Sequence, residues 1–191
     1  LWKGLSKFCM KKITFLKTFI QTRWLYNFKS REALENYQKV QLANYMDFLE
    51  RESPYFKNGV PSDFDYMDKT FMMERFNELN TQGVDRDEAL ALAIESEKTR
   101  DFTELKGEVA VGLSSGTSGH RGLFITTEKE RSMWAAAILA KMLPKGQLFG
   151  HRIAFFLRAD NELYQTINTP LIRLEYFDIF KNTDEHIGRL N

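Results

Sequence analysis

Residues 111–131 read VGLSSGTSGHRGLFITTEKER. An apolar run enters, Ser, Gly, Thr, His and Arg occupy positions 114–122, and a second β-rich run, LFITT at 123–127, follows at once. Two short apolar runs bounded by polar residues read as strands. Gly116, Gly119 and Gly122 lie between them, and glycines this dense carry an entropic cost that makes sense where backbone must curl or approach another group closely. The run from Thr127, TEKERSMWAAAILAKML, opens on a Thr cap and a Glu and reads as a helix ended by Pro144 and Gly146.

Beyond that helix, RIAFFL (152–157) reads as a strand, NELYQTI (161–167) as a short helical piece and IRLEYFDI (172–179) as a strand. TDEHIGRLN (183–191) opens a further helix. This alternation predicts an α/β region with parallel pairing in its sheet.

Upstream, the texture is helical. SREALENYQKVQLANYMDFLER (30–51) carries a candidate N-cap, Ser30, and an apolar stripe of Ala33, Leu34, Tyr37, Leu42, Tyr45, Met46 and Leu49. DYMDKTFMMERFNELN (65–80) predicts a third helix with Met67, Phe71, Phe76 and Leu79 facing inward, its methionines filling core. DRDEALALAIESEKT (85–99) places acidic residues in a first turn, where the helix dipole favours them. The expected organisation is a basic amphipathic helix in 1–31, a helical region over 32–100, and an α/β region over 101–191 that is part of a larger domain.

The bulk numbers narrow the class. The 191 residues suffice for one domain or a domain with an appendage, and 43% apolar content with a mean hydropathy of −0.42 fits a soluble globular chain. No run approaches the length of a membrane span. The single cysteine, Cys9, reads as a small hydrophobe on a helix face and suits a reducing, cytoplasmic setting. His120, His151 and His186 show no metal-ligand spacing, so no metal site is expected from the chain itself. No nucleic-acid partner and no Ser/His/Asp or Cys/His arrangement is indicated.

The net charge of +1 hides an asymmetry. Eight of the 27 basic groups lie in residues 1–31 (Lys3, Lys7, Lys11, Lys12, Lys17, Arg23, Lys29 and Arg31), and all 26 acidic groups lie after them. Leu5, Phe8, Cys9, Ile13, Leu16, Phe19, Ile20 and Trp24 step by three and four along one helix face. Two readings fit: a peripheral contact of residues 1–28 with an anionic membrane, or a helix docked on the rest of the protein with a wet basic side.

The loop itself is a set of donors. Glycines let successive backbone N–H groups point inward around an anion. Ser114, Ser115, Thr117 and Ser118 add hydroxyls, and Arg121 adds a planar fork suited to phosphate oxygens. The target these residues predict is a polyphosphate, held by Ser114, Ser115, Gly116, Thr117, Ser118, Gly119, Arg121 and Gly122. His120 reads as a solvated loop histidine or a further phosphate donor. The loop is neither a Walker A loop, since Gly116 is followed five positions on by Arg121, nor a dinucleotide fingerprint, since no Gly-x-Gly-x-x-Gly occurs.

SSGTSGHRG resembles the Ser/Thr/Gly-rich phosphate loop of the adenylate-forming superfamily of acyl-CoA synthetases, peptide-synthetase adenylation domains and luciferases. More narrowly, the chain looks like the branch of phenylacetate–CoA ligases and deazaflavin-coenzyme-adenylating proteins. ESPYFK (52–57) and MDKTFMMERFNELN (67–80) share in that likeness, which runs from about Arg23 onward. The loop is one residue shorter than the usual form, lacks its proline, and has Arg121 at the lysine position.

The resemblance implies an α/β fold class: a helical N-terminal region, then the first β–α units of the large domain of an adenylate-forming ligase. It implies ATP as ligand, with pyrophosphate leaving as a carboxylate or hydroxyl attacks the α-phosphorus, and with CoA or a carrier-protein thiol as acceptor in the carboxylate type. It implies Mg2+, whose acidic ligand falls in motifs outside these residues, so the chain alone is expected to be inactive. Arg158, Asn161 and Tyr164 fall where the superfamily places a substrate-pocket segment; they read equally as surface polar residues after a strand. The alternative function is a non-catalytic nucleotide-binding or membrane-peripheral interaction protein.

Overall fold

Local sequence signals fix most element boundaries in the computed structural model, which describes residues 12–57, 67–99, 109–114, 116, 121–157 and 172–190. Helix α1 covers 12–20 and widens into a π turn over Gln21–Leu25, closed by the Tyr26 N–H donating to the Gln21 carbonyl at 2.8 Å. Helix α2 is Arg31–Glu52, and Ser30 caps it, its Oγ accepting from the Ala33 N–H at 3.1 Å. A 3-10 turn, Pro54–Phe56, ends the segment. Short helices α3 (Lys69–Glu74) and α4 (Phe76–Leu79) follow, then α5 (Arg86–Thr99). Strands β1 (Val109–Leu113) and β2 (Leu123–Thr127) precede α6 (Glu128–Met142). Strands β3 (His151–Leu157) and β4 (Ile172–Asp178) precede α7 (Thr183–Leu190).

The chain forms two compact units, one of residues 27–127 and one of residues 1–26 with 128–191. Helices and small sheets coexist, so the general α/β class holds.

In the unit of residues 27–127, β1 and β2 pair antiparallel, with Val109 opposite Thr127 and Leu113 opposite Leu123. This hairpin departs from the parallel pairing expected of an alternating α/β run, because a nine-residue connection is shorter than the dozen or so residues that a parallel crossover needs. Strand alternation then sorts the side chains. Val109, Val111, Leu113, Leu123 and Ile125 meet Phe76, Val84, Ala89 and Ala93 in the core, while Gly112 and Phe124 pair on the other face.

Asp85 sets the start of α5. Its Oδ1 accepts from the Asp87 and Glu88 N–H groups at 2.9 and 3.1 Å, while its Oδ2 accepts from Asn77 at 2.9 Å. These bonds, led by the one from Glu88, hold its carboxyl below the ordinary value.

Two sequence expectations change. The stripe expected to bury α2 is mostly exposed: of its members only Leu49 is buried, while Leu34, Leu42 and Tyr45 face solvent. That helix is held at its C-terminal end, where the Ser53 N–H donates to Leu49 and the buried Ser53 Oγ donates to the Glu78 carbonyl at 3.1 Å. The third helix is not continuous but breaks at Arg75, which leaves helical geometry with ψ of 16°.

In the unit of residues 1–26 and 128–191, β3 and β4 are parallel, with Ile153 opposite Leu174 and Phe155 opposite Tyr176. This is the pairing the alternation predicts. One face packs Ile153, Phe155 and Leu174 against Ala135 and Leu139 of α6 and Phe15 and Phe19 of α1. On the other face Phe177 stacks on Phe156 and meets His186 of α7 edge to face. Helices on both faces suit a parallel pair, although the face toward α7 also carries the Arg152–Glu175 ion pair. The NELYQTI segment lies outside the described residues.

Candidate functional site

The hairpin mouth is built from its ends inward. The Ser114 N–H donates to the Gly122 carbonyl at 2.8 Å, and the Gly122 N–H donates to Ser114 Oγ at 2.8 Å. These two bonds close the loop one rung beyond the Leu113–Leu123 pair. Ser114 therefore fixes the neck of the loop. Gly116 stands at φ +70°, a left-handed conformation that favours glycine, and a Cβ there would press against Arg121 Cγ at 2.8 Å. Below the mouth, the Phe124 ring covers Gly112 so closely that a Cβ would lie 2.3 Å from its tip.

Two elements outside the hairpin complete the site. From α3, the alkyl stem of Lys69 lies against Gly122, 3.3 Å from where a Cβ would stand, and Met73 Sδ accepts from the Leu123 N–H at 3.2 Å. From α5, Glu97 meets Arg121 in a two-point fork: Nη1 donates to Oε2 at 2.7 Å and Nη2 to Oε1, while Nε donates to the Ser114 carbonyl at 3.2 Å. Both side chains remain nearly half exposed.

The sequence reading described a donor set without a carboxylate; tertiary structure brings one in. Glu97 lies 24 positions before Arg121, in the C-terminal part of α5 and away from the acidic first turn that the sequence marks. No local signal marks it as a partner. Among the described residues, α3 brings Lys69 and α5 brings Glu97 to the hairpin mouth beside Arg121.

The pair shifts both groups. The Arg121 hydrogen bonds hold the Glu97 carboxyl below its ordinary value of 4.5, and Glu97 raises Arg121 further. A depressed carboxyl contributes stability that is complete above the unfolded value and is lost as pH falls through the folded one. Solvent screening keeps this contribution well under about 1 kcal/mol. Glu97→Gln should therefore flatten the fall of the thermal midpoint on acidification from about pH 5 to about pH 3. Midpoints of the two proteins that stay parallel across that window would show that the pair carries no linkage.

Of the expected phosphate-binding residues, Ser114, Gly116, Arg121 and Gly122 meet at the hairpin mouth; Ser115, Thr117, Ser118, Gly119 and His120 lie outside the described residues. Arg158, Asn161 and Tyr164 also lie outside them. ESPYFK serves packing at the described positions: Ser53 and Phe56 are buried, and Tyr55 meets Phe71 edge to face. Among the described residues no three His, Cys, Asp or Glu side chains gather into a metal site, and no helix is long and apolar enough to cross a membrane. In comparison with protein-family models, curated proteins and solved structures, the chain matches none.

Proposed function

We propose that the hairpin mouth binds the polyphosphate of ATP, and that the chain is the N-terminal portion of an ATP-dependent adenylate-forming ligase acting on a carboxylate or hydroxyl. The observation that carries the reading is the meeting of Arg121, Lys69 and the left-handed Gly116 at a loop neck closed by Ser114 and Gly122. The donor set fits a phosphate. Arg121 has five N–H donors, of which three are engaged by Glu97 and Ser114. The resemblance of SSGTSGHRG to the superfamily loop supplies the ligand's identity, and the helical start followed by α/β units suits the same family.

In this reading the chain's task is to hold the leaving polyphosphate. Arg121 and the loop hydroxyls place and neutralise it by fixed donors. Magnesium would share that charge, with its ligands supplied from elsewhere.

ATP titration of the whole chain, with Arg121→Ala and Glu97→Gln beside it, tests this. Arg121→Ala should weaken binding by on the order of tenfold to a hundredfold, the range for a lost charge-assisted pair. Glu97→Gln should tighten binding, because the carboxylate competes with phosphate for one fork. Wild-type protein that does not bind ATP overturns the nucleotide reading. The Glu97 fork favours a second reading, in which Arg121 ties the hairpin to α5 and serves no ligand. Unchanged affinity in Arg121→Ala together with a lowered thermal midpoint would establish it.

A further inference from the structure

Helix α1 carries two apolar faces, and only one is used inside the protein. Phe15 and Phe19 pack with Leu139, Ile153, Phe155 and Leu174. Ile13, Leu16 and Ile20 follow one another by three and four residues, which puts them on a single stripe about a third of a turn away, and Trp24, in the π turn at its end, meets the Phe19 ring edge to face at 5.9 Å. That stripe is in solvent: the four residues are 60, 58, 39 and 53% exposed. A helix that had merely docked its apolar side would leave polar residues outward.

The charge around the stripe identifies what covers it. Lys17, exposed, stands four residues on from Ile13, and Lys12 stands four before Leu16. The sequence holds no acidic residue before Glu32, and Lys3, Lys7 and Lys11 are among the basic residues that precede it. A protein partner's groove would meet this surface anywhere along a mixed-charge chain. An exposed apolar stripe inside an acid-free segment that carries eight basic groups matches a surface that is apolar beneath and negative on top. Arg23 is not part of this surface, since its guanidinium is bound to α6.

We propose that α1 lies on anionic phospholipid, with Ile13, Leu16, Ile20 and Trp24 sunk at the headgroup–acyl boundary and the lysines among the headgroups. Phe15 and Phe19 hold the helix to α6 and the β3–β4 sheet, so the folded unit rides on the bilayer surface. This inference is independent of the nucleotide reading, and either can fail alone.

The test is co-sedimentation of the whole chain with vesicles of phosphatidylcholine alone and of phosphatidylcholine with phosphatidylserine at roughly 7:3. The wild type should pellet with the anionic vesicles, much less with neutral ones, and less as salt rises. A variant with Ile13→Ser, Leu16→Ser and Trp24→Ser should lose partitioning by on the order of tenfold or more. None of the three is buried, although Trp24 touches Phe19, so circular dichroism matching the wild type is the check that the variant keeps its fold. Phe149→Ser, an exposed aromatic elsewhere, is the control and should bind as wild type. The proposal is overturned by wild-type protein that stays in the supernatant, by a triple variant that still pellets, or by a wild-type dimer that the triple variant abolishes without lipid.

Discussion

Phe177→Ala is expected to destabilise the unit of residues 1–26 and 128–191 by about 3–5 kcal/mol, the range for deleting a fully buried aromatic ring. Phe177 has no exposed surface. Its ring stacks on Phe156 at 5.0 Å and meets His186 at 5.5 Å, and the Arg189 guanidinium lies 4.5 Å over it. Removing it takes away the fully buried ring on which α7 rests and leaves the half-exposed Phe156, which meets His186 at 5.7 Å. The cavity can close only if α7 moves, and α7 is a short helix of eight residues with most of its other side chains exposed. Phe156→Ala should cost clearly less, since that ring is 48% exposed. Denaturant unfolding followed by tryptophan fluorescence reads this unit selectively, because Trp2, Trp24 and Trp134 all fall within its residues. A loss under about 1 kcal/mol for Phe177→Ala would mean that the ring does not anchor α7.

The second large effect comes from a single cation. Pro144 follows α6 and has no N–H, so the Ala140 carbonyl lacks its helical donor four residues on. Arg23 supplies the missing donor: Nη1 donates to Ala140 at 2.8 Å and to Leu143 at 2.5 Å, and Nη2 donates to Pro144 at 2.5 Å. The π turn at Gln21–Leu25 sets the guanidinium there, and a positive charge at a helix C-terminus also complements the dipole. Arg23→Met keeps the alkyl stem and leaves three carbonyls without this donor. It should cost about 2–3 kcal/mol, since hydrogen bonds to a charged group contribute more than neutral ones. Arg23→Lys should recover part of that loss, because an ammonium can reach one or two of the acceptors but lacks the fork. Equal stability of Arg23→Met and the wild type in the same fluorescence assay would exclude the capping role.

Local signals carried well. Ser30 caps α2 and Asp85 starts α5 because a side-chain oxygen a few residues from free N–H groups needs no distant partner. LFITT is β2 residue for residue, and RIAFFL and IRLEYFD lie in β3 and β4, because short β-rich runs bounded by breakers are strongly specified. The position of the polar turn was legible too. Ser, Gly and Arg between two strands already describe a donor-lined turn, and Ser114, Gly116, Arg121 and Gly122 stand at its mouth.

Periodicity misled where it could not name a partner. The apolar spacing on α2 marks a stripe, but whether that stripe is buried depends on what packs against it, and only Leu49 is covered. On α1 a single row of apolar steps resolves into two faces, one packed and one open, for the same reason.

What the sequence determined by itself is therefore most of the described helices and strands, the caps Ser30 and Asp85, and the place of the Ser/Gly turn between β1 and β2. These depend on groups within a few residues of one another. The alternation predicts the parallel β3–β4 pair, whereas tertiary structure decided that β1–β2 is antiparallel. It also decided that Glu97 faces Arg121 and that Arg23 completes the end of α6 across 117 residues of chain. Each of these pairs distant residues whose local sequence is compatible with many partners, and the choice among them is made by packing of the two cores.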